Sequence, residues 1–238
     1  KKDIMFIDEV VGCKLALSDH RSSHVRTKEL KRLASDIRVS SMLSGKCGIL
    51  ILHMGDEKKA LSQVFKIIES TDIPVSLFRP THVARNKQLL EDGFKLLSMG
   101  GYIDLTAEPQ MSATHAILKA KKRGLPLDHI TVSSDGQGSW STYDQSGQLL
   151  DIGVSSVSCL FEEFQYMLKN NLSLGEALPF FTSNVARGLG LNKGEIIVGK
   201  DADLLLLDQN YNIQDVIALG KIHVRNQKQL IKGTYEKD

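Results

Sequence analysis

The chain has 238 residues, 42% of them hydrophobic and 24% charged, and 30 Lys and Arg residues against 28 Asp and Glu give a formal net charge of +2. This composition is typical of a globular protein with a sizeable core, and so balanced a charge gives no reason to expect binding to nucleic acid or to an anionic membrane. The longest apolar runs have four or five residues, whereas a membrane-spanning helix needs roughly 20. The three cysteines are scattered and no secretory signal is visible, so we expect a cytoplasmic location.

Short β-type runs alternate with amphipathic helical stretches over the first half of the chain. The runs are Val10–Leu17, Gly48–Leu52, Val75–Pro80, Gly101–Thr106 and His129–Ser133. The helical stretches between them are about Thr27–Leu43, Lys58–Ser70, Lys87–Ser98 and Ala113–Arg123. This alternation predicts βαβ units, and strands that are almost continuously hydrophobic are typical of a parallel sheet that is buried on both faces.

The pattern changes after Asp135. Residues 136–153 are rich in Gly, Ser, Gln and Asp, which predicts a long loop. Two helices are predicted next, at about Ser155–Lys169 and Leu174–Leu189. The tail contains short strands that are separated by turn residues, which predicts a small antiparallel β module. We therefore expect two domains, residues 1–193 and 194–238.

Three of the β runs lead directly into a side chain that can bind a metal ion, namely His53, His82 and Asp135. Because the carboxyl ends of parallel strands share one rim, we expect these side chains to converge. Imidazole and carboxylate together are ligands for Zn²⁺ or Mn²⁺. One such residue alone is usually a helix cap or a surface residue, and the pattern by itself leaves both interpretations open.

Lys14 is a charged residue inside the apolar run Val10–Leu17. Its long side chain can carry the ammonium group out to the rim of the sheet. Alternatively, burial can favour the neutral amine, which is able to add CO₂ and form a carbamate that bridges two metal ions. The periodicity of the strand does not decide between these alternatives.

Longer segments around these residues resemble sequences of a known family. They are Gly12–Ser22, His53–Leu61, Pro80–Asn86, Ser133–Ser139 and Gly194–Leu204. Together they resemble the amidohydrolase superfamily of metal-dependent enzymes, and within it the isoaspartyl dipeptidases. The resemblance implies an α/β fold, a distorted TIM (β/α)8 barrel of which this chain holds about strands 4–8, followed by part of a small β-sandwich domain.

The resemblance also implies a metal centre. Lys14 is then expected to be carboxylated and to bridge two zinc ions, with His53 and His82 bound to one of them. Asp135 is expected to bind the other zinc and to act as the catalytic residue, taking the proton from a metal-bound hydroxide that attacks the scissile carbonyl. It would then return that proton to the leaving amine.

Three further residues match positions that hold the carboxylates of a β-aspartyl dipeptide, namely Arg21, Arg85 and Ser139. Guanidinium groups suit this role because they bind carboxylates through two parallel hydrogen bonds. Without the resemblance, an arginine paired with helix carboxylates on the surface would be the better interpretation. The implied activity is that of a zinc metallopeptidase that hydrolyses the isopeptide bond of β-aspartyl dipeptides, and we expect a homo-oligomer.

The sequence departs from the family pattern in one respect. The family needs a His-x-His pair on the first barrel strand, and the seven histidines of this chain contain no such pair. Five predicted strands against the eight of a closed barrel agree with this, so we expect the 238 residues alone to be inactive. A cyclic-amide hydrolase of the dihydroorotase or hydantoinase kind and an inactive partial barrel remain as alternatives.

Overall fold

The computed structural model describes residues 1–19, 22–108, 111–144 and 146–233. The chain divides into two compact units, residues 1–190 and 191–238. Within the described ranges, no helix combines the length and the apolar character needed to cross a membrane.

The first unit contains two parallel sheets. Its strands are β1 (Gly12–Leu17), β2 (Ile49–Met54), β3 (Phe78–Thr81), β4 (Ile103–Thr106) and β5 (Ile130–Ser133). One sheet has the order β1-β2-β3, and β4 pairs with β5 in the other. The parallel strands predicted from the sequence are therefore present, each shorter than its apolar run or shifted from it by a few residues.

Helices follow or precede these strands. They are α1 (Lys2–Phe6), α2 (Thr27–Ser44), α3 (Ser62–Ser70), α4 (Lys87–Ser98), α5 (Ser112–Lys122), α6 (Cys159–Lys169), α7 (Leu174–Ala177) and α8 (Ser183–Leu189). Short 3-10 turns lie at Val75–Leu77, Val83–Arg85, Leu127–His129 and Leu178–Phe181. The ends follow local chemistry: α2 stops at Gly45, which has a φ of 69°, and the Asn86 side chain accepts a hydrogen bond from Leu89 N at 2.9 Å to cap α4.

The two faces of each strand differ in polarity. Leu50, Leu52 and Phe78 are fully buried on the face that packs against the helices, and each contributes about 1.5–3 kcal/mol by leaving water. The opposite face carries polar side chains, because alternate residues point to opposite sides of a strand. On that face Lys14 lies level with Ile51, and His53 lies level with Thr81. The polar face therefore brings the candidate ligands to one side of the sheet.

The loop predicted for residues 136–153 is wrong, because this segment contains a hairpin. Strands β6 (Ser139–Tyr143) and β7 (Leu149–Val154) pair in antiparallel fashion. Between them the Asp144 carboxylate accepts hydrogen bonds from Ser146 N and Gln148 N, both at 2.8 Å, and Gly147 has a φ of 83°. Asp144, Ser146 and Gly147 belong to the turn of this hairpin, whereas other Gly, Ser and Asp residues of the segment lie in its strands.

The helix predicted over Leu174–Leu189 is also wrong as a single element. The structure has α7, a 3-10 turn and α8 in its place. Pro179 lies in the first turn of the 3-10 segment, where it lacks the N–H that a continuous α-helix needs.

The second unit is an antiparallel sheet. Its strands are β8 (Leu204–Leu207), β9 (Ile213–Ala218), β10 (Lys221–Arg225) and β11 (Lys228–Gln229), in the order β11-β10-β9-β8. Tight turns with left-handed residues join them, for example at Gly220 with a φ of 74°.

Candidate functional site

Two imidazole rings meet where β2 and β3 end. His53 lies within β2, and His82 follows β3 directly. Nδ1 of His53 is 2.9 Å from Nε2 of His82, and the ring planes are inclined at 73°. Both rings therefore direct a nitrogen toward the same point of the rim.

The other nitrogen of each ring also has a polar neighbour. His82 Nδ1 lies 2.7 Å from Thr106 Oγ1 at the end of β4, and His53 Nε2 lies 3.4 Å from Asp19 Oδ2. At 2.9 Å one of the two facing nitrogens donates a hydrogen bond to the other. A cation bound between them would need both lone pairs, with the ring protons at the outer nitrogens. Partners of this kind select the tautomer that metal-bound histidines require.

The electrostatics favour a neutral ring at His53. Burial lowers the pKa of His53 below its usual value, and the positive charge of Arg85 lowers it further. The carboxylate of Asp19 acts in the opposite direction, but it does not outweigh the burial. A neutral imidazole near pH 7 keeps a lone pair that can bind a cation.

Asp135 and Lys14 complete the cluster at this rim. Asp135 Oδ2 is 3.9 Å from His82 Nε2, and Asp135 Oδ1 is 4.0 Å from Lys14 Nζ. Gly138 lies against Asp135, since a Cβ there would be 2.8 Å from Oδ2. The three residues that the sequence placed at strand ends are therefore neighbours, and Lys14 lies beside them. Contrary to the apolar pattern around it, the Lys14 side chain is 55% exposed.

After the parallel strands of the first unit, three described non-glycine residues have left-handed backbone conformations. Ser18 after β1 has a φ of 52°, His82 after β3 a φ of 60°, and Asp135 after β5 a φ of 47°. Such conformations cost about 1–3 kcal/mol each and concentrate at functional sites. The surrounding structure therefore holds these three residues in backbone conformations that they would not adopt by their own preference.

The cluster opens into a cavity of about 270 Å³. Lys14, His53 and Asp135 line it together with Asp19 and Ser139. Ser139 thus lies at the same site as the candidate ligands. Lys14 and Asp135 also line a neighbouring cavity of about 380 Å³, on the inner face of the strands.

Arg85 lies in the 3-10 turn that follows His82. Its Nη1 donates a hydrogen bond to Met54 O at 2.6 Å and is 3.9 Å from Asp19 Oδ2. The side chain is 28% exposed, so part of the guanidinium faces solvent. Arg21, the other arginine that the sequence singled out, lies outside the described residues.

Asp104 is a polar residue of the inner face that the sequence analysis did not single out. Its carboxylate accepts hydrogen bonds from Thr81 and Ser133 at 2.6 Å and from Thr131 at 2.7 Å. Burial raises the pKa of Asp104, although the three hydroxyl donors and Lys14 oppose this effect. The signal was a charged residue inside the predicted strand Gly101–Thr106, the same signal that identified Lys14. Asp19 and Thr106 were missed because neither stands out by type or spacing.

The donor atoms suit zinc in type and in spacing. Two ligand atoms on a tetrahedral zinc lie about 3.3 Å apart, and the facing imidazole nitrogens of His53 and His82 are 2.9 Å apart. In residues 1–19, 22–108, 111–144 and 146–233, however, no three His, Cys, Asp or Glu side chains surround one point closely enough to hold an ion. The described residues thus bring two imidazoles and one carboxylate to the same rim, without a complete set of ligands.

Comparison with known proteins assigns the family. The model of the amidohydrolase family matches residues 55–223, which is more than half of the chain. Among solved structures, the β-aspartyl dipeptidase of Fervidobacterium islandicum AW-1, in complex with a β-Asp-Leu dipeptide, is 40% identical with a TM-score of 0.93. That similarity covers 98% of this chain but 62% of the dipeptidase, so the chain spans less than two thirds of its length.

More distant structures share the fold alone. A D-hydantoinase from a Thermus species has a TM-score of 0.61 at 15% identity and covers 96% of this chain and 67% of its own. An adenosine deaminase from Xanthomonas campestris, solved with bound zinc, has a TM-score of 0.54 at 15% identity, covering 88% and 52%. The chain belongs to the amidohydrolase family.

Proposed function

We propose that this chain carries site residues of a zinc-dependent β-aspartyl dipeptidase, which hydrolyses the isopeptide bond of β-aspartyl dipeptides. The observation that carries the proposal is the meeting of His53 and His82, at 2.9 Å, with Asp135 beside them and Arg85 in the next turn. A cation-binding pair next to a guanidinium suits a substrate that has both a scissile amide and free carboxylates. The 40% identity to a dipeptidase bound to β-Asp-Leu supports the same substrate class.

The proposal includes the architecture. We assign β1–β5 to strands 4–8 of a distorted TIM (β/α)8 barrel, residues 1–193 to the partial barrel, and residues 194–238 to part of a small β domain. Parallel pairing, a polar inner face and ligands at the carboxyl rim are all features of such barrels.

His53 Nδ1 and His82 Nε2 would hold one zinc ion and Asp135 a second, and a carboxylated Lys14 would be a ligand of both. Zinc bound there would lower the pKa of a water molecule and polarise the scissile carbonyl. Asp135, which lines the cavity, performs the proton transfers: its carboxylate takes the proton of the attacking water and returns it to the leaving amine. Its 28% exposure leaves it accessible to both groups.

Arg85 and Ser139 would bind the carboxylates of the dipeptide, together with Arg21. The hydrogen bond from Arg85 Nη1 to Met54 O holds one arm of the guanidinium, and the other arm is left for an anion. The Ser139 hydroxyl belongs to the same cavity. A β-aspartyl dipeptide carries two carboxylates, and these groups provide a separate contact for each.

The test is an assay of the protein at its natural length, with zinc content measured on the same sample. We expect hydrolysis of β-Asp-Leu, no hydrolysis of dihydroorotate, and bound zinc. Cleavage of dihydroorotate alone would identify a cyclic-amide hydrolase instead. Absence of both zinc and activity would show an inactive barrel.

A further inference from the structure

Asp19 is held against the end of β2 by its backbone neighbours. Ser18, which precedes Asp19, is anchored because its hydroxyl donates a hydrogen bond to Ala60 O at 2.9 Å. At Gly55 a Cβ would lie 2.3 Å from the Cα of Asp19, so a glycine is needed for the two segments to approach this closely. Asp19 is only 2% exposed, and its carboxylate therefore has a defined position at the rim.

One oxygen of this carboxylate faces two functional side chains. Asp19 Oδ2 is 3.4 Å from His53 Nε2 and 3.9 Å from Arg85 Nη1. The first is a proposed metal ligand and the second a proposed substrate-binding residue. Asp19 and His53 both line the cavity of about 270 Å³, and Arg85 follows in the turn after His82.

We propose that Asp19 is a positioning residue that couples the metal site to substrate recognition. By attracting the ring proton to Nε2 of His53, it leaves Nδ1 as the lone pair that faces His82. Through the same oxygen it restrains the guanidinium of Arg85. The proposal rests on the proposed function, since it assumes that His53 binds zinc and Arg85 binds a carboxylate.

The position of Asp19 suits this role better than a purely structural one. A carboxylate that is almost fully removed from water needs positive or hydrogen-donating neighbours, and here the neighbours include the two groups that the site uses. Carboxylates behind metal-bound histidines typically change metal affinity or activity by about 10–100-fold when they are replaced.

The experiment compares two substitutions in the protein at its natural length. Asp19→Ala removes both contacts, and we expect the affinity for zinc, measured by competition with a chromophoric chelator, to fall at least tenfold. Asp19→Asn keeps an oxygen for His53 Nε2 but removes the charge beside Arg85. We expect zinc affinity within about threefold of the wild type and a several-fold higher KM for β-Asp-Leu.

A double-mutant cycle tests the coupling to Arg85. Arg85→Lys should raise KM and leave zinc affinity unchanged, because a point charge cannot replace the planar guanidinium. If Asp19 acts through Arg85, the effects of Asp19→Asn and Arg85→Lys on KM will be less than additive. Asp92→Asn is the matched control, because this carboxylate accepts a hydrogen bond from Leu61 N at 3.1 Å outside the site and should change neither value.

A wild-type zinc affinity in Asp19→Ala would overturn the role toward His53, and additive effects on KM would overturn the role toward Arg85. A lowered melting temperature with unchanged zinc affinity and KM would make Asp19 a purely structural residue. The chelator measurement needs no substrate, so it decides the contact with His53 even if β-Asp-Leu is not cleaved and the proposed function fails.

Discussion

At the scale of single residues, the site depends on which atoms of its histidines carry protons. The facing nitrogens of His53 and His82 can bind a cation only if both are unprotonated. The ring protons then lie at the outer nitrogens, where Asp19 and Thr106 are close enough to interact with the N–H groups. Residue types at strand ends could be predicted from the sequence. The ring orientations could not, because they depend on partners that follow other strands.

Lys14 provides the sharpest test at this scale. If it is a carbamate that bridges two zinc ions, Lys14→Ala removes a ligand from both metals and leaves the two cations unscreened. In the protein at its natural length we expect loss of at least one zinc and of most activity, with partial recovery in acetate or propionate, whose two oxygens can replace the carbamate. The measurements are zinc content and hydrolysis of β-Asp-Leu, with and without the added carboxylate.

Unchanged zinc content and activity in Lys14→Ala, without any effect of acetate, would contradict the carbamate bridge. The lysine would then be a side chain that extends to the rim, which agrees with its 55% exposure in this chain. His53, His82 and Asp135 could still share a single zinc.

At the scale of elements, an ion-pair cluster joins two neighbouring helices. Glu91 on α4 contacts Lys119 on α5 at 2.8 Å and Arg123 just after it at 2.6 Å. Hydrogen bonds from Arg123 first and then Lys119 lower the pKa of Glu91 from its usual 4.5 to about 2. The pair therefore stabilises the folded state above about pH 4.5, and this contribution is lost as the pH falls toward 2.

Glu91→Gln should lower the free energy of unfolding at pH 7, and the difference from wild type should shrink as the pH falls from about 4.5 to 2. Urea denaturation at several pH values measures this, and added salt should reduce the effect because the pair is exposed. Glu69→Gln is a comparison on α3, for which no ion pair is found among the described residues. If the free energy of unfolding had the same pH dependence in both variants, the Glu91 cluster would not stabilise the contact between α4 and α5.

The elements also show where sequence patterns were sufficient. The helix over Lys87–Ser98 follows its predicted bounds, because Asn86 caps it and its apolar positions share one face. The hairpin at 139–154 was missed because β7 is largely exposed and turn residues dominate the composition. Leu174–Leu189 has helical periodicity throughout, but Pro179 has no N–H and interrupts the backbone hydrogen bonds of an α-helix. Hydrophobic periodicity carries no information about these hydrogen bonds.

At the scale of the whole chain, the sheet has an open edge. Among the described strands, β1 pairs with β2 alone, and Phe6, Met42 and Leu43 are between 69% and 77% exposed on α1 and α2. Unpaired strand edges and exposed apolar side chains favour association. We expect residues 1–238, expressed alone, to be poorly soluble or self-associated and to lack dipeptidase activity.

Size-exclusion chromatography with light scattering measures this, and the protein at its natural length is the control. A soluble monomer of residues 1–238 that hydrolyses β-Asp-Leu would contradict the expectation. That result would also show that the ligands present in this chain are sufficient for catalysis.

The left-handed residues at the strand ends have a consequence for any attempt to improve this protein. His82 and Asp135 hold conformations that glycine or asparagine adopts at lower cost, so replacements at these two positions can stabilise the fold while they remove proposed metal ligands. A library selected for heat tolerance alone would therefore accumulate variants that lack these ligands. Selection would have to reward turnover in every round to keep both residues.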